Sequence, residues 1–362
     1  MNSLSLITKN FAPSWFASVM GTGILAITSF YYARFSIYLE YLSIALWIFN
    51  MLLFAVLFVF WTLRLVLYRQ EFINDLREPV TGQFFATMPI ACLVLVADLL
   101  VIGSGHWDTG LVVGLAKFFW LLGVVLALLL AIIIPLLNFI NQEVRIEQVN
   151  PAWFMPPVSL IVIPVPGAKL VSYWPDAWQQ TMLIFNYVSW SCGFFLFLFL
   201  EAICLYRFFC RPPLPGALAP TAWINLGPIG VGTIALSGLG TAGVPYLGDL
   251  VTPVVNLLAL LLWGFGFWWL ICAICLTIYY LRRSSLPFSL AWWAFTFPLG
   301  AYAAATYTVA SFLNSPVIYL YGFICFLLLL FIWSVVIIKT LVGVINGKIL
   351  AKPGPPKAAL RS

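Results

Sequence analysis

Ala222-Trp223-Ile224, followed by Gly227-Pro228-Ile229-Gly230-Val231-Gly232-Thr233, is one of five related stretches in this sequence. The aromatic lead recurs in Ser14-Trp15-Phe16, Gln83-Phe84-Phe85, Ala152-Trp153-Phe154 and Ala291-Trp292-Trp293. From Trp15 through Phe84, Trp153, Trp223 and Trp292 the steps are 69, 69, 70 and 69 residues. Four to six residues after each lead comes a glycine or proline: Gly21, Pro89, Pro157, Pro228 and Pro298. A fixed period of this kind marks one structural unit used repeatedly, here five times.

The composition says what the unit is made of. Of 362 residues, 17 are Lys or Arg and 11 Asp or Glu, 8% in all, against roughly 25% in soluble domains. Apolar residues make up 64% of the chain and the mean hydropathy is +1.07. No water-soluble surface can be built from that inventory, which excludes soluble enzymes, nucleic-acid binders and disordered scaffolds. With about 20 apolar residues needed per crossing, hydropathy places spans near 12–30, 38–66, 82–103, 112–141, 151–170, 181–209, 220–240, 251–281, 288–311 and 317–345. The fold class predicted is an all-α polytopic membrane protein of ten transmembrane helices. One membrane domain covers 1–345, and 346–362 reads as a short disordered cytoplasmic tail. The first apolar run, preceded by Lys9 alone, reads as a span rather than a cleavable signal.

Each repeat therefore holds two spans, a helical hairpin, and the two differ in chemistry. Even spans are plain, as in Leu257-Leu258-Ala259-Leu260-Leu261-Leu262. Odd spans are rich in small, polar and helix-breaking residues, as in Ser18-Val19-Met20-Gly21-Thr22-Gly23. Kinks at Gly21, Gly23, Pro89, Pro157, Pro228 and Pro298 free backbone groups that hydrocarbon cannot satisfy, so odd helices belong inside and even ones outside. Five inner helices at about 9 Å spacing enclose an opening roughly 5 Å across. The expected architecture is five hairpins in pseudo-five-fold arrangement around a central pore, with a filled, non-conducting core as the alternative.

Charge sets orientation and cargo. Lys9, Arg64, Arg69, Arg77, Arg145, Arg207, Arg211, Arg282, Arg283, Lys339, Lys348, Lys352, Lys357 and Arg361 fall on one side, and Arg34, Lys117 and Lys169 on the other. The basic side is cytoplasmic, so both termini are placed there. The inner spans carry only Asp98 and, at an end, Lys169. An acidic ring for cations is missing from them, as is a carboxylate relay. Freed amides and the basic excess favour anions, although an uncharged lining also suits a neutral solute.

Asp98 and Lys117 lie at comparable distances from the hairpin apex near His106. They are candidates for an intramembrane ion pair, or else two side chains snorkelling to the interface. Glu201, near Arg207 at the end of span six, is expected to snorkel. His106, beside Trp107 and Asp108, reads as solvated. Cys272 and Cys275 form a C-x-x-C without a flanking His or second Cys pair, and read as small apolar residues in a lipid-embedded helix. No metal or cofactor is expected, and no nucleophile, acid–base or metal constellation points to an enzyme.

Pro13-Ser14-Trp15-Phe16-Ala17-Ser18-Val19-Met20-Gly21-Thr22-Gly23 resembles the opening helix of the tellurite-resistance/C4-dicarboxylate transporter family. That family includes the plant slow-type anion channels and fungal malate and sulfite exporters. Ala291-Trp292-Trp293-Ala294-Phe295-Thr296-Phe297-Pro298 is similar to its ninth helix. The resemblance spans all ten predicted helices. It implies five hairpins around a central pore in the plasma (inner) membrane, usually as a homotrimer, passing small inorganic or organic anions. It also implies a gating phenylalanine directly before the ninth-helix proline, here Phe297. The kink at Pro298 suits a side chain turned toward the axis, where a phenyl ring fills a 5 Å opening (roughly, as above). An ordinary packed aromatic is the alternative in a chain with 31 Phe. Channel-like passage is one expected activity. A proton-coupled exporter of malate or sulfite is the other, with Asp98 its sole intramembrane candidate for a protonatable group.

Overall fold

Proline, glycine and hydroxyl side chains decide how the helices begin, and leucine-rich runs decide how far they continue. The computed structural model describes residues 3–140, 145–283, 286–347 and 349–350. Of the predicted tail, residue 348 and residues 351–362 lie outside the described residues. The α-helices are α1 (Ser3–Lys9), α2 (Phe16–Tyr31), α3 (Ile37–Leu67), α4 (Arg69–Arg77), α5 (Thr87–Val101), α6 (Thr109–Ile140) and α7 (Met155–Val162). They continue as α8 (Pro164–Leu170), α9 (Asp176–Cys210), α10 (Leu226–Leu247), α11 (Val251–Arg283), α12 (Thr296–Leu313) and α13 (Pro316–Ile345). Among the described residues, eight helical segments are long and apolar enough to cross a membrane. The predicted first and ninth spans, around α2 and α12, are not among these eight, because glycine, serine, threonine and alanine dilute them.

Two layers separate cleanly. In the most apolar stretch of the third, fifth and seventh predicted spans, 83–89% of residues are buried; in the even spans the share is 28–33%. Leu52, Leu257, Leu261, Leu320 and Phe331 are among the large apolar side chains left exposed on the outer helices. Such a surface is stable only against lipid. The chain is a multi-pass membrane protein.

Each inner helix is entered through a 3₁₀ turn: Pro13–Trp15, Gly82–Ala86, Pro151–Phe154, Gly216–Asn225 and Leu290–Phe295. Pro89, Pro157, Pro228 and Pro298 are each the third residue of the α-helix that follows. There a missing N–H costs least, and the break is the change of pitch just before the proline. Hydroxyls one turn on cover the strained carbonyls: Ser18 to Trp15 O (2.7 Å), Thr87 to Phe84 O (2.7 Å), Ser159 to Pro156 O (2.6 Å) and Thr296 to Trp293 O (2.8 Å). The expectation of kinks at Gly21 and Gly23 is corrected, since α2 runs unbroken from Phe16 to Tyr31. Those glycines serve close approach instead. A Cβ at Gly21 would strike the Thr296 hydroxyl and the Trp293 ring, and one at Gly23 would strike Val94, Asn50 and Asp98.

The inner helices pack in sequence, α2 on α5, α5 on α7 and α8, these on α10, α10 on α12, and α12 back on α2. Their 3₁₀ entries touch in the same cyclic order. A second chain of bonds runs between repeats. Asn50 Nδ2 on α3 donates to Asp98 Oδ2 on α5 (3.1 Å), and Trp120 Nε1 on α6 to Ile163 O at the α7–α8 break (3.1 Å). Trp190 Nε1 on α9 donates to Gly232 O on α10 (3.2 Å), and Trp263 Nε1 on α11 to Thr306 Oγ1 on α12 (2.9 Å). Trp333 Nε1 on α13 then donates to Thr22 Oγ1 on α2 (3.1 Å). Every outer helix thus clasps the inner helix of the next repeat, and the last clasps the first.

Candidate functional site: a path between the inner helices

Two cavities lie where the five inner segments face one another. The first is lined by Met20, Thr87, Val158, Gly227 and Phe297, each with the residue three positions before it: Ala17, Phe84, Met155, Ile224 and Ala294. One turn from every inner segment therefore contributes. The second is lined by Ile24, Ile27 and Tyr31 of α2, Ala97 and Val101 of α5, Val165, Pro166 and Lys169 of α8, Ile234 of α10 and Ala304 of α12.

The two linings are continuous on each helix. Met20 and Ile27, Gly227 and Ile234, and Phe297 and Ala304 are seven positions apart, two turns on one face, or about 10 Å of rise, while Val158 and Val165 stand on either side of the α7–α8 break. The positions between them on the same face, Val162, Val231 and Ala301, are buried apolar residues, as is Val94 on α5. Between the two chambers the inner helices present these buried apolar residues. Phe297 is 4% exposed and lines the first chamber at its end nearer the second. Pro298, beside it in that lining, is the residue that fixes the start of α12.

Polar groups are few along this line. The first chamber has no ionisable lining residue, and Lys169 is the single charged residue lining the second. Asp98 is fully buried beside Ala97 but turned away, toward Asn50 and Gly23. The Asp98–Lys117 ion pair is not formed. Lys117 Nζ donates to Tyr173 O (2.6 Å) and lies 4.8 Å from the centre of the Trp174 ring, while the one hydrogen-bond partner of Asp98 is Asn50. Equal depth did not suffice, because the two side chains leave their helices in different directions.

Glu201 does not snorkel either. It is buried and accepts from Asn225 Nδ2 at 2.8 Å, and Arg207 is buried with it. His106 Nδ1 lies 2.9 Å from Ile102 O in an exposed loop. Cys272 and Cys275 are free thiols on an outer helix. Among the described residues no cluster of His, Cys, Asp or Glu has the makings of a metal site.

Asn50, Trp120, Trp190, Trp263 and Trp333 were missed as a set by the sequence reading. Their steps are 70, 70, 73 and 70 residues, a second repeat in the outer helices that matches the first in period. An asparagine in the first copy hides it from a search for aromatics.

A cyclic set of inner helices, each entered through a 3₁₀ turn, has a counterpart among known sequences. The family profile described as SLAC1, voltage-dependent anion channel, matches residues 10–341. The chain belongs to the voltage-dependent anion channel family. Within reach of that family, an uncharacterized transporter of Methanocaldococcus jannaschii is 40% identical, over 95% of this chain and 96% of its own length. A sulfite efflux pump of Arthroderma benhamiae is 26% identical over 85% of this chain and 84% of the pump. A malic acid transport protein of Schizosaccharomyces pombe is 24% identical over 91% and 77%. The family and these relatives are transporters, not enzymes, and this chain shares almost its whole length with them.

Proposed function

We propose that this chain passes small anions across the membrane along the line of the two chambers, with ten transmembrane helices over 1–345 arranged as five hairpins around that line and Phe297 closing it. The single observation that carries the proposal is the lining. Each chamber receives residues from all five inner segments, one face per helix. A central path has that property, whereas a cleft between two helices or a lipid-facing groove does not. An apolar constriction between the chambers excludes water and therefore ions, so closure needs no charge. The phenyl ring of Phe297 is the largest group at that level, and its removal opens the path. Neutral walls with one lysine and no lining carboxylate suit anions over cations. Sulfite and malate, named for two relatives, are the substrates to try first. Placement in the plasma (inner) membrane with both termini cytoplasmic follows the lysine and arginine count, and assembly as a homotrimer follows the family resemblance.

The test is reconstitution into lipid with anion-substitution currents for chloride, nitrate, sulfite and malate. Phe297→Ala is expected to raise anion current several-fold over wild type at the same protein density. Unchanged current would remove Phe297 from the path. A second reading, a proton-coupled exporter, is favoured by one observation: Asp98 is a fully buried carboxyl on an inner helix with Oδ1 unpartnered. Flux that collapses when the proton gradient is removed, and that Asp98→Asn uncouples, would select the exporter.

A further inference from the structure

We propose that the second chamber is a binding site for a small oxyanion, inorganic or carboxylate, with the Lys169 ammonium supplying its charge and the Tyr31 hydroxyl a further donor. The inference rests on the anion passage proposed above, and it assigns the place along the path where the anion pauses.

Four observations meet there. Lys169 is the last-turn residue of α8 and lines the chamber as its single charged residue. It is exposed, and among the described residues no hydrogen bond or ion pair occupies its ammonium. Lys117, on the neighbouring α6, shows the contrast, because its ammonium is consumed by Tyr173 O. Second, Tyr31 lines the same chamber with its ring fixed by stacking on Tyr307 at 4.6 Å, while its hydroxyl has no hydrogen-bond partner among the described residues. A stacked ring holds a hydroxyl in place without using it. Third, the remaining wall is apolar: Ile24, Ile27, Val101, Ile234 and Ala304. Low-polarity walls strengthen the field of a lone ammonium, and they accept the short carbon chain of a carboxylate. Fourth, the chamber is not sealed, because Lys169 is exposed; an anion beside it keeps part of its water, and complete dehydration of a divalent anion at one charge would be prohibitive.

The arrangement also fits conduction. A single cation gives attraction enough to load the chamber, and the absence of a second one on the side of the first chamber leaves the anion free to move on. A ring of several lysines would hold it.

The test uses the full chain with sulfite and malate as probes at constant ionic strength, for wild type, Lys169→Met and Lys169→Arg. In vesicles, Lys169→Met is expected to raise the half-saturating anion concentration about tenfold, the loss of one charge contact in a partly screened site. Lys169→Arg, which keeps the charge, recovers most of that loss. Equal half-saturation in wild type and Lys169→Met overturns the site while leaving anion passage standing. If wild type passes neither anion, the site is still decided in detergent micelles by thermal melting. Stabilisation by sulfite or malate in wild type that Lys169→Met abolishes upholds it. No stabilisation of wild type, or the same stabilisation in both, sinks it.

Discussion

The seam between the first and second repeats is built differently from the other four. At those four, an indole N–H from an outer helix reaches a carbonyl or threonine hydroxyl on the next inner helix. At the first, an amide meets a carboxyl, Asn50 to Asp98, and both remaining oxygens, Asn50 Oδ1 and Asp98 Oδ1, are buried without partners. Trp47, one turn before Asn50, has its own indole nitrogen buried and unpartnered. An indole brings one donor and a large apolar ring, so a single acceptor satisfies it. The amide brings two donors and an acceptor, and pairing with a carboxyl leaves polar atoms over. Four seams are made for adhesion. The first carries unspent polarity into the membrane, where such residues mark function more often than stability.

This contrast can be broken by substitution. The largest effect is expected at Gly23, where a Cβ would meet the Asn50 amide at 2.7 Å and Asp98 Oδ2 at 2.8 Å. Gly23→Val should destabilise the fold by about 3 kcal/mol or more, read as lost monodispersity and melting temperature in detergent. Next comes Asn50→Leu, which strips Asp98 of its one donor and should cost about 1–3 kcal/mol. Adding Asp98→Leu should return most of that loss, since removing both partners is nearly neutral. A double variant as unstable as the single would show that the seam's polarity is structural. At an ordinary seam the effect shrinks. Thr306→Val keeps the side-chain volume and removes the acceptor of the Trp263 N–H, for about 1 kcal/mol, read as a small loss of melting temperature.

Much of this was legible beforehand, and the failures have physical reasons. Hydropathy placed the ends of α3, α11 and α13 within a few residues, because lipid demands a fixed apolar length. The small residues of α2 and α10 marked them as inner, since only close-packed helices tolerate so little side chain. What failed depended on direction around a helix. Asp98 and Lys117 share a depth but not a face. Glu201 was assigned to the interface because it lies near a span end, yet α9 turns it onto Asn225. The prolines were read as kinks within helices, whereas each stands in the first turn after a 3₁₀ entry. A sequence marks where a helix is weak more readily than which pitch relieves the weakness. The short α4 went unpredicted, being too polar to register by hydropathy. It is tied down by buried Arg64, which reaches Glu71 O (3.4 Å) and the Asp75 carboxylate.

The clasp from Trp333 to Thr22 joins positions 311 apart. During synthesis at ~5–20 residues per second, the opening hairpin waits roughly 15–60 s for its final neighbour to emerge. Until then α2, with its glycines and hydroxyls, faces the bilayer or a chaperone unguarded. The ring of inner helices closes in one late event, so a premature stop within the last hairpin should cost the cell the entire product rather than at most a fifth of it.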